Sequence, residues 1–328
     1  MKKIRVYVVE PGGDITRIML KDLEDIADVT VIFRPYEFPN ATFAKIKKYH
    51  FHYKINKFLQ LPLKRIWNKY SVLHNISFEE EYYNVILFNS FALQEYSVQL
   101  ILDLKKRYPN IYLALYFSDT IASPVIKKAV YMSKKIPFDL IYSFDPVDSF
   151  ENGYIYTTAI YSKYNVTEME QPQNDLFFVG ENKGRISMLN SIYAAAVKNG
   201  LVADFRILRV RDDEKIDGTI KYNSRITYLD CLSELQNSKC ILDIVQEGQT
   251  GTTLRYYEAV CYNKKLLTNN KSLSKMKYYN SSYIQIFDTV EDIDWEWVKK
   301  EDAVNYNYDN DYSPVNLVND IINRLNKE

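Results

Sequence analysis

Three short stretches concentrate the residues that could hold an anion or move a proton. The first is Gln246-Glu247-Gly248-Gln249-Thr250-Gly251-Thr252-Thr253-Leu254-Arg255, with Glu258 three residues further on. The second is Gly180-Glu181-Asn182-Lys183-Gly184-Arg185, and the third is Pro11-Gly12-Gly13-Asp14. The chain has only 9 glycines in 328 residues, well below a usual share of roughly 7%. The six in these stretches therefore mark backbone that other residues would not suit. A glycine loop running into a helix start offers free backbone N–H groups and a positive dipole end, which suits a phosphate. Acids add a second kind of chemistry at Ser118-Asp119-Thr120 and Asp145-Pro146-Val147-Asp148. A carboxylate there can contact a hydroxyl or act as a base. The competing reading is that Asp145 and Asp148 cap a turn or helix.

These residues need elements to place them. Residues 240–245 are the apolar, β-branched run of a buried parallel strand. A helix starting near Thr252 carries Leu254, Tyr257, Glu258 and Cys261 at i, i+3, i+4 and i+7, so Glu258 shares the inward face. Thr252 or Thr253 can cap its first turn, and residues 265–268 form the next strand. The same alternation opens the chain: strand 4–9, glycine turn, helix 15–26, strand 29–33. It continues with strand 84–88, helix 93–107, strand 111–117, a helix near 124–134 and strand 140–144. After a polar, proline-bearing stretch at 165–174 it restarts with strand 176–179, helix 186–199 and strand 204–208. Thr227-Tyr228-Leu229-Asp230 has the form of a capping box. A strand at 283–287 and a helix at 314–325 close the series.

The pattern predicts an α/β protein of two Rossmann-like domains with parallel sheets facing across a cleft. The first domain is expected at 1–164, the linker at 165–174, the second domain at 175–310, and 311–328 as a helix packing back on the first. The GxGxxG dinucleotide fingerprint is absent from the opening. Gly12 and Gly13 there serve either tight geometry or, with Asp148, the approach of an acceptor.

Composition narrows the class. Lys+Arg and Asp+Glu both number 42, so no global field argues for nucleic acid. Hydrophobic content of 47% with 26% charged residues is ordinary for a soluble protein. Cys231, Cys240 and Cys261 read as small hydrophobes in a reducing compartment. With no run of eighteen apolar residues and no signal-like start, the expected location is cytoplasmic. Residues 41–70 stand apart: Lys45, Lys47, Lys48, Lys54, Lys57, Lys64, Arg65 and Lys69 occur with no acid between them. Phe43, Phe51, Tyr53, Phe58 and Trp67 are interleaved. Such a segment lies on an anionic membrane surface or holds an anionic lipid-linked substrate, unless its lysines are only the solvated face of ordinary core. That would put the protein at the inner face of the membrane. His50 and His52 read as surface residues.

Residues 176–290 resemble the nucleotide-binding domain of GT-B glycosyltransferases, particularly bacterial enzymes that build capsule, exopolysaccharide or lipopolysaccharide. Phe178 to Arg185 stands where those enzymes have a first strand ending in glycine and then basic residues. Gly248 to Ala259, followed by Asn263-Lys264-Lys265-Leu266-Leu267, is similar to their glycine loop, glutamate-bearing helix and short strand. The resemblance implies transfer of a sugar from a nucleotide-diphosphate donor, UDP-sugar favoured, to a glycan or lipid-linked glycan. It implies that Glu258 accepts from the donor ribose, with Arg209 and Arg255 nearby. Gln249, Thr250, Gly251, Thr252 and Thr253 would face the phosphates, and Gly180, Lys183 and Arg185 the leaving diphosphate. Asp119, Asp145 and Glu247 are the catalytic candidates. Thr250 occupies the position where retaining families carry a second glutamate, and no histidine lies near the first glycine loop, so the stereochemistry stays open. Asp292-Ile293-Asp294 and Asp309-Asn310-Asp311 match the letters of a metal site, but outside a strand end. No metal and no resident cofactor is expected, the nucleotide-sugar being a substrate. The alternatives are a non-catalytic nucleotide- or sugar-binding protein and an epimerase of the same layout.

Overall fold

A computed structural model describes residues 3–51, 62–166, 173–246 and 251–327. The chain divides into two compact units, Met1–Ser162 with Tyr312–Glu328, and Lys163–Asp311. Among the described residues the strands form two six-stranded sheets, each parallel throughout.

In the first unit, β1 (Lys3–Val9), β2 (Val29–Ile32), β3 (Tyr82–Asn89), β4 (Ile111–Phe117), β5 (Leu140–Ser143) and β6 (Ile155–Tyr156) lie in the order β2-β1-β3-β4-β5-β6. Both faces are buried, which is why the central strands are apolar without alternation. Tyr7, Val9, Ile86 and Phe88 pack on one face. Val6, Val8, Val85 and Leu87 pack on the other, against Leu317, Val318, Ile321 and Leu325 of the C-terminal helix Pro314–Leu325. That helix is also tied by polar bonds: Tyr142 Oη donates to Asp320 (2.8 Å) and Ser313 Oγ to Asp22 (2.6 Å).

Two helices are shorter than their periodicity predicts. The first is α1 (Asp14–Met19), followed by a separate turn at Lys21–Leu23. The chain breaks there because Asp22 is held from outside, by Ser313 and by its own N–H to Ser162 Oγ (3.0 Å). The expected helix 93–107 is α3 (Val98–Arg107), preceded by a turn that sinks Tyr96 completely into the core. Ser97 restarts the helix by accepting from Leu100 N (3.2 Å).

Of the basic segment, residues 52–61, including His52, lie outside the described residues. Helix α2 (Ala41–His50) is capped by Asn40, whose side chain accepts from Thr42 N and Phe43 N. Of its aromatic neighbours, Trp67 is buried and donates to His50 Nδ1 (2.8 Å), while Phe43 and Phe51 are half-buried. Lys45 and Lys48 are exposed, yet Lys47 turns inward. Helix α4 (Pro146–Asn152) follows β5.

The second unit starts before the expected domain. Tyr164 N donates to Tyr262 Oη (3.0 Å) and Val166 N to Gln236 Oε1 (3.2 Å). Of the stretch read as a linker, residues 167–172 lie outside the described residues. The strands β7 (Asn174–Glu181), β8 (Ala203–Leu208), β9 (Lys221–Tyr222), β10 (Ser238–Asp243), β11 (Lys265–Thr268) and β12 (Ile284–Ile286) lie in the order β12-β11-β10-β7-β8-β9. This is Rossmann order, in which the winding reverses between the first strand, β7, and the fourth, β10. Helices α5 (Ile186–Lys198), α6 (Tyr228–Gln236) and α7 (Leu254–Cys261) connect them. The capping box opens α6, with Thr227 and Asp230 each accepting the other's backbone N–H. Among the described residues no helix is long and apolar enough to cross a membrane.

Candidate functional site

A cavity of about 1070 Å³ lies at the carboxyl edge of β7, β10, β11 and β12, where the winding of the second sheet reverses. Its wall includes Lys183, Gly184, Arg185, Ser187 and Met188 from the β7–α5 turn. Asn182 Oδ1 accepts from Ile186 N (3.1 Å). The next two amides, of Ser187 and Met188, have no partner among the described residues, as the first turn of any helix dictates. Lys183 sits beside them with backbone φ of 44°, exposed, and with no acid partner among the described residues. The arrangement is a cation next to an open helix start.

Arg185 lines the same cavity, but its guanidinium is engaged. Nε and Nη2 donate to Glu181 O (both 3.2 Å), and Nη1 donates to Ile244 O. It ties the ends of β7 and β10 together across the reversal point. Gly180 makes this possible, since a Cβ there would lie 3.0 Å from Arg185 Nη2 and 3.0 Å from the Phe178 ring. Burial pulls the Arg185 pKa below its usual value, with Asp243 working the other way. On the opposite wall Lys271 pairs with Asp288 (2.7 Å).

The expected ribose ligand is elsewhere. Glu258 is 0% exposed; its Oε1 accepts from Tyr228 Oη (2.7 Å) and its Oε2 from Arg255 Nη1. Both oxygens are used inside the unit, where Glu258 is fully buried and Arg255 partly so. Periodicity puts Glu258 on the inward face, and in this helix the inward face is core. Thr253 is the N-cap residue of α7 but makes no side-chain cap bond. Thr252 Oγ1 turns to Met276 Sδ (3.7 Å), and Gly251 O accepts from Asn270 Nδ2 (3.2 Å). Arg209, at φ 60°, is exposed and pairs with Glu181 Oε1 (3.1 Å), away from the cavity wall. Glu247, Gln249 and Thr250 lie outside the described residues.

In the first unit the three candidate acids each hold a backbone amide. Asp145 caps α4, accepting from Val147 N (2.8 Å) and Asp148 N (2.9 Å). Asp148 is buried and accepts from Ile121 N (2.8 Å); burial raises its pKa. Asp119 accepts from Thr120 N and Ser123 Oγ (both 2.9 Å). Gly12, at φ 80°, could not carry a side chain, because a Cβ would sit 2.4 Å from Phe33 O. Gly13, at φ 118°, precedes α1.

A residue the motif reading passed over stands at the end of β1. Glu10 is 2% exposed, and its Oε2 has no hydrogen-bond partner among the described residues. Burial pushes its carboxyl up to about 8, opposed by a hydrogen bond from Asn89. Asn89 closes β3 and also accepts from Phe91 N (2.8 Å) and Ser118 Oγ (3.3 Å). Glu10 therefore lies where the first sheet reverses, between β1 and β3. The signal was a charge ending the apolar run Val-Val-Glu.

No protein-family model matches the chain, and no curated protein matches it. Among solved structures, one from Listeria monocytogenes that bears the name UDP-N-acetylglucosamine 2-epimerase superposes with a TM-score of 0.52 at 10% identity. The match covers 100% of this chain and 98% of that one. The fold is GT-B-like. T4 phage β-glucosyltransferase matches with a TM-score of 0.46 at 8% identity, over 90% of this chain and 88% of that one. A variant of the same enzyme in complex with UDP-glucose gives 0.44 at 11%, with the same coverage. Within this GT-B-like fold the Asp-x-Asp letters serve structure. Asp292 accepts from Thr289 N (2.8 Å) and Asp294 from Trp297 N (3.0 Å). Asp309 and Asp311 take the Tyr278 hydroxyl and Lys277.

Proposed function

We propose that the protein is a metal-independent glycosyltransferase that moves a sugar from a nucleotide-diphosphate donor, uridine favoured, to a glycan or lipid-linked glycan of a bacterial surface polysaccharide. One observation carries this reading: the cavity at the reversal point of the second sheet, with Lys183 and two open amides of α5 on its wall. Open α/β sheets bind ligands at this place, and a helix start with a cation beside it suits a diphosphate. In sugar transfer, negative charge develops on the leaving diphosphate, and these groups stabilise it as it forms. Glu10 supplies the base that takes the proton of the acceptor hydroxyl.

A second reading is a nucleotide-sugar epimerase, favoured by the Listeria monocytogenes structure and its TM-score of 0.52. The same cavity would hold the same class of substrate. Following a UDP-sugar by NMR separates the two: a transferase releases UDP when an acceptor is present, an epimerase yields an isomer of the donor and no UDP.

Donor binding is tested by melting the protein with UDP, GDP, CDP, ADP and dTDP. A nucleotide at one hundred times its Kd adds about 2.7 kcal/mol of stability, a visible shift. Lys183→Ala is expected to weaken that nucleotide about tenfold or more, because a charge-assisted phosphate contact is lost. Its melting temperature without ligand should stay at the parent value, since Lys183 is exposed. If no nucleotide moves the melt of the parent protein, the donor site is refuted.

A further inference from the structure

A second cavity, of about 600 Å³, lies in the first unit at the carboxyl ends of β1 and β2. Pro11 enters it after β1, and Phe33, Arg34 and Tyr36 enter it after β2. Its other wall is a single stripe of α2 and its C-cap: Ala44, Lys47, Lys48 and Phe51, spaced i, i+3, i+4, i+7. The volume is in the range of small-molecule sites.

Two features give this cavity its chemistry. The first is an aromatic stack. Tyr36 lies parallel to Phe38, with centroids 5.8 Å apart, and stacks on Tyr96 at 5.7 Å. Behind it the Tyr96 hydroxyl is buried with no hydrogen-bond partner among the described residues. The second is surplus positive charge. Lys47 is 8% exposed, with Nζ 4.1 Å above the Tyr36 ring and 2.7 Å from Glu95 Oε2. Glu95 balances Lys47, and among the described residues no other acid lines the cavity. Arg34 and Lys48 have no acid partner among the described residues. A lysine sunk to nine-tenths of its surface and fixed by both an acid and a ring is a built feature, unlike a solvated face.

We propose that this cavity binds the acceptor, and that the acceptor carries a phosphate. An apolar sugar face rests on the aromatic lining of Phe33, Phe38 and Phe51, and the phosphate lies between Arg34 and Lys48. Arg34 has the planar fork that meets two phosphate oxygens together, and Lys48 adds a point charge. Both side chains are exposed at the cavity, within reach of an incoming anion. The inference rests on the glycosyltransferase reading and names its acceptor class. The phosphate comes either from a free sugar phosphate or from a lipid-linked one.

The experiment is a calorimetric titration of the full-length protein with a hexose phosphate and with the methyl glycoside of the same hexose. A parallel arm uses flotation on phosphatidylcholine vesicles carrying either a polyprenyl phosphate or phosphatidylglycerol. Arg34→Ala/Lys48→Ala is the test variant and Arg34→Lys/Lys48→Arg the charge-conserving control. Hexose phosphate binding at least tenfold tighter than the glycoside, and weakened about tenfold or more in the alanine variant, supports the proposal with a free sugar phosphate. Binding confined to polyprenyl phosphate vesicles and lost in the alanine variant supports it with a lipid source. It is overturned if the glycoside binds equally well or the alanine variant keeps its binding. Equal flotation on phosphatidylglycerol, or no binding in either arm, overturns it too. The nucleotide melting shift of the alanine variant keeps the two readings apart. If that shift persists while no phosphate binds, the acceptor inference alone has failed.

Discussion

Glu258→Ala is expected to lose about 3–5 kcal/mol of stability, because it strips a buried arginine of its counter-charge. Melting should fall by roughly 10 °C for a unit of this size. Arg255 is tucked against Glu258 and Cys231 Sγ (3.6 Å) with little solvent to replace the lost carboxylate. The Tyr228 hydroxyl loses its acceptor as well. Burial raises the Glu258 pKa and Arg255 opposes it, so the pair is held by geometry against a desolvation cost. Removing both partners in Arg255→Met/Glu258→Leu should therefore recover most of the loss, since an apolar pair of similar volume has no charge to strand. Chemical and thermal unfolding of the two variants beside the parent decides this. A Glu258→Ala protein that melts like the parent but binds nucleotide poorly would return Glu258 to the ribose.

Glu10→Gln is expected to do two opposite things: lower transfer by about 10²–10⁴-fold and make the protein more stable at alkaline pH. Glu10 has a folded pKa raised from 4.5 to about 8. Between those values the folded state holds a proton that the unfolded chain releases. The stability present below pH 4.5 is therefore lost as pH rises through 8, by an amount on the order of 5 kcal/mol in the limit. Glutamine keeps a hydrogen-bonding partner for Asn89 and does not titrate. The variant should match the parent near pH 4.5 and exceed it above pH 8. In the parent, transfer should climb with pH toward 8, as the carboxylate forms, while stability declines. A flat difference between the two unfolding profiles from pH 4.5 to 9 would sink the titration argument, and full activity in the variant would sink the catalytic one.

The sheets were readable because parallel strands buried on both faces appear as apolar runs, as in β3, β4 and β10. The two-residue strands β6 and β9 were not, since two residues carry no period. Helix breaks at Asp22 and Tyr96 come from partners elsewhere in the fold, such as Ser313, 291 residues away. The β7–α5 turn was legible as a glycine loop with cations, but its division of labour was not. That Arg185 is spent on carbonyls and Lys183 left free depends on strand spacing at the reversal point. Glu258 shows the limit of periodicity, which tells inward from outward without saying whether inward holds a ligand or Arg255. Lys47 shows the converse, a lysine in a basic run that packs over Tyr36.

The first unit is assembled from two stretches, residues before 163 and residues after 311, while the second is one unbroken stretch. During synthesis the first sheet emerges before the second unit, yet the helix that seals one of its faces emerges after it. Leu317, Val318, Ile321 and Leu325 are made only after all of the second unit. The later-born unit can thus complete its core while the earlier one still exposes Val6, Val8, Val85 and Leu87. On the ribosome, the unit whose sheet is made earlier is therefore the one completed later.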